Sequence, residues 1–198
     1  MDHPYILKAR GPQFSALYLF FCGYQVCAPG DAFWPAVRSN YVIHYILKGQ
    51  GIYRAVGASY TLEAGQGFLI RPAVQTFYQA DEADPWSYLW IGFDGSRTAE
   101  YLAGLGLGEN HLTYRSSKGN QLYRIVRDML KHNTYPTANQ FMLESLLYAF
   151  FSALSEDLDV VSVSGRSDGS LYVRKAVEFI QTNYANPIRV TDIADYVC

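Results

Sequence analysis

Histidine, cysteine and net charge are all scarce in this chain, and each scarcity closes off a class of function. Three cysteines, Cys22, Cys27 and Cys198, supply neither a paired disulfide framework nor the two pairs of a structural zinc site. Cys22 and Cys27 lie in strand-like sequence and read as small buried hydrophobes, which fits a reducing compartment. Charged residues make up only 17% of the 198, and the formal net charge is −2. Binding nucleic acid requires clustered Lys and Arg to neutralise phosphates, so no surface is devoted to it in this composition. No basic stretch precedes an apolar signal core, and no apolar run approaches the roughly 18 residues of a bilayer span. A cytoplasmic protein with no membrane partner is expected. A Gly-x-Ser-x-Gly nucleophile turn is also missing, and Asp81, Glu82 and Asp84 sit in a turn before Pro85, where acids are ordinarily solvated. No catalytic group is assigned.

What the chain does contain is apolar and aromatic sequence in short bursts. Hydrophobic residues reach 49%, enough for a sizeable core. The stretch Arg38–Phe93 organises the rest. Tyr41 to Leu47 is a run of β-branched and aromatic residues, Lys48-Gly49-Gln50-Gly51 turns it, and Ile52-Tyr53-Arg54 resumes the same chemistry: a hairpin, with Gly49 and Gly51 expected to supply positive φ. Further reversals at Gly57 and Gly65-Gln66-Gly67 alternate with short strands, a spacing that indicates an antiparallel sandwich or barrel. In the last strand, 86–93, alternation puts Trp86, Tyr88 and Trp90 on one face and Leu89, Ile91 and Phe93 on the other.

Upstream, residues 1–13 lack periodicity and read as an irregular arm; 14–22 is a strand broken at Gly23, and 24–27 a second short one. Downstream of Gly95 the period changes from 2 to 3.6. Ser96 is expected to cap a helix reaching Leu102 and Leu105, Leu112–Tyr114 is a short extended piece, and 119–132 and 137–156 are amphipathic helices. Residues 157–170 have linker composition. A helix over 171–184 follows, then a second that Thr191 caps and whose first turn carries Asp192.

The series Arg38, His44, LKGQGIY (47–53), LEAGQGFLIRP (62–72) and WSYLWIGFDG (86–95) resembles the N-terminal effector-binding domain of AraC-type transcription regulators. The subgroup it looks most like controls sugar utilisation in Gram-positive bacteria. The resemblance implies an α+β protein: a cupin-like antiparallel β-barrel (a jelly roll) with its arm over 1–95, a helical dimerisation segment over 96–156, the linker 157–170, and over 171–198 the start of a helix-turn-helix DNA-binding domain that stops before its recognition helix. It further implies a sugar as small-molecule effector, a homodimer, DNA as partner of the full-length protein only, and no cofactor. A metal-free cupin enzyme of the isomerase or epimerase type is the rival.

Cupin barrels commonly hold a metal on a His-x-His pair, a Glu and a third His. Here His44 is the only barrel histidine, with His3, His111 and His132 in the arm, a loop and a helix, so no metal is expected. A sugar presents CH faces that stack on rings and hydroxyls that need fixed donors. Trp90, Tyr88, Arg38 and His44 suit that demand. By position in the family's motifs, Arg38 and Trp90 match sugar-contacting residues, Tyr88 matches a position that contacts ligand from the same strand as Trp90, and Tyr24 and Tyr78 match more loosely. The alternative is that these aromatics only fill the barrel. For Arg38 and Trp90 the binding reading goes ahead, because a buried Arg with no acid near it in sequence is costly unless something pairs with it. For Tyr24 and Tyr78 filling the barrel serves equally well.

Overall fold

A sheet of short strands buries both faces only if something packs on each, and this chain supplies a second sheet for one side and helices for the other. The computed structural model describes residues 5–8, 14–109, 111–132, 137–158, 176, 179–180 and 189–197. Its strands are β1 (Tyr5–Lys8), β2 (Tyr18–Val26), β3 (Ala32–Val37), β4 (Tyr41–Lys48), β5 (Gln50–Ala55), β6 (Ala58–Glu63), β7 (Gln66–Ile70), β8 (Gln75–Ala80), β9 (Ser87–Asp94) and β10 (Thr113–Arg115). The helices are α1 (Thr98–Gly104), α2 (Gly119–Lys131), α3 (Thr137–Ser155) and α4 (Val190–Val197). A six-stranded sheet runs β1-β2-β9-β4-β7-β10 and a four-stranded sheet β3-β8-β5-β6, with neighbouring strands antiparallel. This is the cupin-type antiparallel sandwich.

Two cores follow from the layering. Between the sheets lie Val42, Ile46, Tyr53, Phe68, Trp86, Tyr88 and Trp90. Between the larger sheet and the helices lie Ile43, Leu89, Ile91 and Phe93 against Leu122, Val126 and Met129 of α2 and Leu147, Phe150 and Leu154 of α3. The alternation read along 86–93 therefore separates two buried faces, which is why β9 is apolar almost throughout. The four-stranded sheet keeps one face in solvent, and β8 alternates accordingly.

Several local expectations are corrected. Residues 5–8 are a strand on the open edge of β2, with Leu7 buried and Ile6 and Lys8 exposed. Gly23 does not break β2: a Cβ there would overlap the Trp90 indole, so the glycine makes room for a ring while the strand runs on. Gly51 likewise lies in β5 beneath the Trp86 ring, and only Gly49 provides the left-handed turn, at φ 69°. Strand β3 is missing from the reading above because its Trp34-Pro35 centre conceals it. Ser96 does not cap α1, since its hydroxyl donates to the Ser15 carbonyl at 3.1 Å. In α4 the backbone N–H of Arg189 is taken by Asp192 Oδ2 at 2.9 Å, so the acid in the first turn performs the capping assigned to Thr191.

Residues 1–160 and 161–198 form separate compact units. In the second, Phe179 and Tyr196 pack ring to ring at 5.1 Å. The helix expected over 171–184 and the linker over 157–170 fall largely outside the described residues.

Candidate functional site

The inward positions of β4, β9, β2 and β8 converge on one cavity of about 300 Å³ between the sheets. Register sets this out. His44 on β4 faces Trp90 on β9, and Trp90 in turn faces Gly23 on β2. A bulge between Leu19 and Phe21 turns Leu19 toward the helices and Phe21 toward the cavity. The Leu19 N–H freed by that bulge donates to Glu144 Oε1 of α3 at 3.1 Å, so the helix holds the strand in its bent course. Tyr78 of β8 and Phe33 of β3 close the opposite wall, stacked at 5.2 Å with their planes 6° apart.

Two polar atoms in this wall, Arg38 Nε and His44 Nδ1, are buried without a hydrogen-bond partner. The Arg38 guanidinium lies 4.6 Å over the Phe33 ring, a cation–π contact, and its Nε is buried without a hydrogen bond. Among the described residues no carboxylate pairs with it. His44 is fully buried, stacked at 4.4 Å on Phe68, and its Nδ1 is also unpartnered. Burial, and then the nearby Arg38 charge, hold the His44 pKa well below 6.5, so the ring is neutral at pH 7. Burial raises the Tyr78 and Tyr88 hydroxyls, which stay protonated and both donate and accept. A buried polar group left unpaired costs about 1–3 kcal/mol, so Arg38 Nε and His44 Nδ1 mark a surface shaped for a polar ligand.

Of the residues singled out in the sequence, Arg38, His44, Tyr78, Tyr88 and Trp90 line this cavity together. Tyr24 does not. It opposes Leu89, on the helix side of β2, and its ring meets Tyr123 of α2 at 5.5 Å. The parity could not be read while β2 was split at Gly23. Its neighbour Gln25 lines the cavity instead, as do Phe21, Phe33 and Val42, with Ile6 and Lys8 of β1 at the rim. Reading Tyr18–Val26 as one strand would have found Phe21 and Gln25; Phe33 carried no signal beside Trp34-Pro35.

The cavity wall is also tied to the far end of the first unit. Tyr114 O–H donates to the His44 carbonyl and Tyr45 O–H to the Ser116 carbonyl, each at 2.8 Å. Asp157, just beyond α3, accepts from Ser116 Oγ at 2.9 Å and from the Ser117 N–H. Among the described residues no cluster of His, Cys, Asp and Glu is suited to a metal, and no helix is long and apolar enough to cross a membrane.

The model of the AraC-like ligand binding domain matches residues 19–151. The chain is 33% identical over 175 residues to the Msm operon regulatory protein of Streptococcus mutans, covering 87% of this chain and 63% of that protein. It is 29% identical over 188 residues to the raffinose operon transcriptional regulatory protein RafR of Pediococcus pentosaceus, covering 93% and 68%. With the lactose operon transcription activator of Staphylococcus xylosus it shares 24% over 178 residues, covering 89% and 64%. The chain thus spans 63% to 68% of the length of these relatives. Among solved structures, Escherichia coli YhaK overlays 58% of this chain and 52% of its own at TM-score 0.45 and 21% identity.

Proposed function

The chain belongs to the AraC-like ligand-binding domain family, and from that premise we propose that its cavity binds a small sugar or glycoside as the effector of a transcription regulator, not as the substrate of an enzyme. One observation carries the reading. Aromatic rings share one cavity with Arg38 Nε and His44 Nδ1, two buried polar atoms without a hydrogen-bond partner, and among the described residues no carboxylate pairs with the guanidinium. Rings suit the CH faces of a sugar, and the unpaired polar atoms suit its hydroxyls, which both donate and accept. The names of the regulators matched above, which refer to raffinose and lactose operons, point to the same ligand class.

In this reading the barrel senses, α2 and α3 join two copies, and DNA is bound by the full-length protein in the cytoplasm. The homodimer proposal is supported by Phe141, Met142 and Tyr148 of α3, large apolar side chains left exposed on a helix whose other face is buried against the larger sheet. For the regulator over the isomerase, the support is chemical: a neutral His44 and a Cys27 thiol pushed up to about 11 provide neither a charged acid nor a ready nucleophile.

A thermal-shift screen against mono-, di- and trisaccharides tests the reading, with each sugar recovered and identified afterwards. A ligand at a hundred times its Kd adds about 2.7 kcal/mol, or roughly 5–10 °C in Tm for a chain of this size. Stabilisation by an unaltered sugar is the expected result. Isomerised sugar, or no shift across the panel, would sink it.

A further inference from the structure

A second cavity of about 190 Å³ adjoins the first and shares with it Gln25, Phe33, Tyr78 and Tyr88. Its chemistry differs. The larger lobe offers rings and a cation, whereas the annex adds a carboxylate, Asp31, absent from the larger lobe. Asp31 sits on a turn held from several sides. Its Oδ2 accepts the Ala28 N–H at 2.8 Å, its carbonyl accepts the Ala80 N–H at 2.9 Å, and Gln79 Nε2 donates to the adjacent Gly30 carbonyl at 3.1 Å. Among the described residues no hydrogen bond engages its Oδ1. Between the lobes stand Tyr78 and Tyr88, with Gln25 Oε1 3.4 Å from the Tyr88 hydroxyl.

The larger lobe is at the lower end of the roughly 300–1,000 Å³ of small-molecule sites, room for one sugar ring. The annex has space for roughly six waters at about 30 Å³ each. Resting on the effector reading above, we propose that the ligand is an oligosaccharide spanning both lobes. One ring lies between Trp90 and Arg38. A second enters the annex, where the fixed Asp31 carboxylate accepts its hydroxyls and the linkage passes the hydroxyls of Tyr78 and Tyr88. Carboxylates suit neutral polyols and repel anions, so the second ring is an uncharged sugar.

Calorimetric titration with lactose, raffinose, melibiose, sucrose and maltose, against glucose, galactose and fructose, tests this directly. At least one of the linked sugars should bind about tenfold or more tighter than each of its own monosaccharides. Asp31→Asn keeps an acceptor for the Ala28 N–H and should erase most of that advantage while monosaccharide affinity stays within about twofold. Ala32→Leu, at an exposed position that lines only the annex, should do the same by filling it. Thermal melts confirm that both variants fold. If the monosaccharides bind as tightly as the linked sugars, or if both variants leave the advantage intact, the two-lobe assignment is wrong and the effector reading stands. If no sugar in the set binds, both fall.

Discussion

Substituting Gly23 by alanine attacks the cavity from behind, at a position that touches no ligand. A Cβ on Gly23 would overlap Cζ2, Cε2 and Cη2 of the Trp90 indole. The two residues face each other across the β2–β9 ladder, so the strands cannot part without breaking hydrogen bonds on either side. The indole must therefore swing into the cavity. Overpacking of this kind costs about 1–3 kcal/mol, offset in part by about 0.4–1 kcal/mol for the lost flexibility of glycine in the unfolded chain. Gly23→Ala should be less stable by about 1–2 kcal/mol in urea denaturation. Because the displaced ring occupies the ligand's place, sugar affinity should fall on the order of tenfold to a hundredfold. Gly104→Ala is the control: it ends α1, a Cβ meets nothing within 4 Å, and its φ is not positive. It should leave affinity unchanged and stability level or slightly higher. If Gly23→Ala matches the parent in both stability and affinity, the packing of Trp90 against β2 is misread.

Other perturbations test separate parts of the account. Since the His44 pKa is held well below 6.5 in the folded state, stability should fall as pH drops below 6.5 toward the folded pKa, by up to about 1.4 kcal/mol per pH unit; urea midpoints of His44→Gln should show a flatter profile over that window. Glu144 has the opposite sign: burial raises its pKa above 4.5, so stability is lost as pH rises through the folded value. Glu144→Gln keeps an acceptor for the Leu19 N–H and should gain on the parent at pH 8 relative to pH 4. The hairpin turn places Val56 at φ 51° beside Gly57 at φ 76°. Val56→Asn, which tolerates that conformation, should stabilise by about 0.5–1 kcal/mol in thermal melts. Glutamate at both Met142 and Tyr148 should shift sedimentation from dimer to monomer with the fold intact, whereas an acid at Leu147, fully buried in the first unit, should unfold it. Dimers that survive the double change would place the interface elsewhere.

How much of this was legible depended on how local the signal was. The hairpins of 41–70 announced themselves through β-branched runs punctuated by glycine, and the alternation of 86–93 put Trp90 and Tyr88 on one face. Helices α2 and α3 followed from their apolar spacing. What failed was whatever a distant residue decides. Gly23 looks like a strand breaker until Trp90, far along the chain, is seen lying over it. Gly51 looks like a turn glycine until Trp86 is seen above it. Tyr24 and Gln25 exchange faces once β2 is continuous and bulged at Leu19–Phe21, and no single-strand pattern reveals a bulge set partly by Glu144 of α3. The two lobes, which meet at residues from β2, β3, β8 and β9, exist only in three dimensions.

Titration of the parent, Trp90→Ala and Arg38→Met with the saccharide that most stabilises the chain asks whether this cavity is the effector site. Removing the indole takes away ring contact. Exchanging Arg38 for methionine keeps much of the apolar stem and loses donors worth roughly 1.5–3 kcal/mol in a charged hydrogen bond. Each variant should bind on the order of tenfold to a hundredfold more weakly while remaining folded. Ile91→Val, on the helix-facing side of the same strand, should lose about 0.5–1.5 kcal/mol of stability and keep its affinity. If Trp90→Ala and Arg38→Met bind the sugar as tightly as the parent, the effector site lies elsewhere and these side chains only fill the barrel.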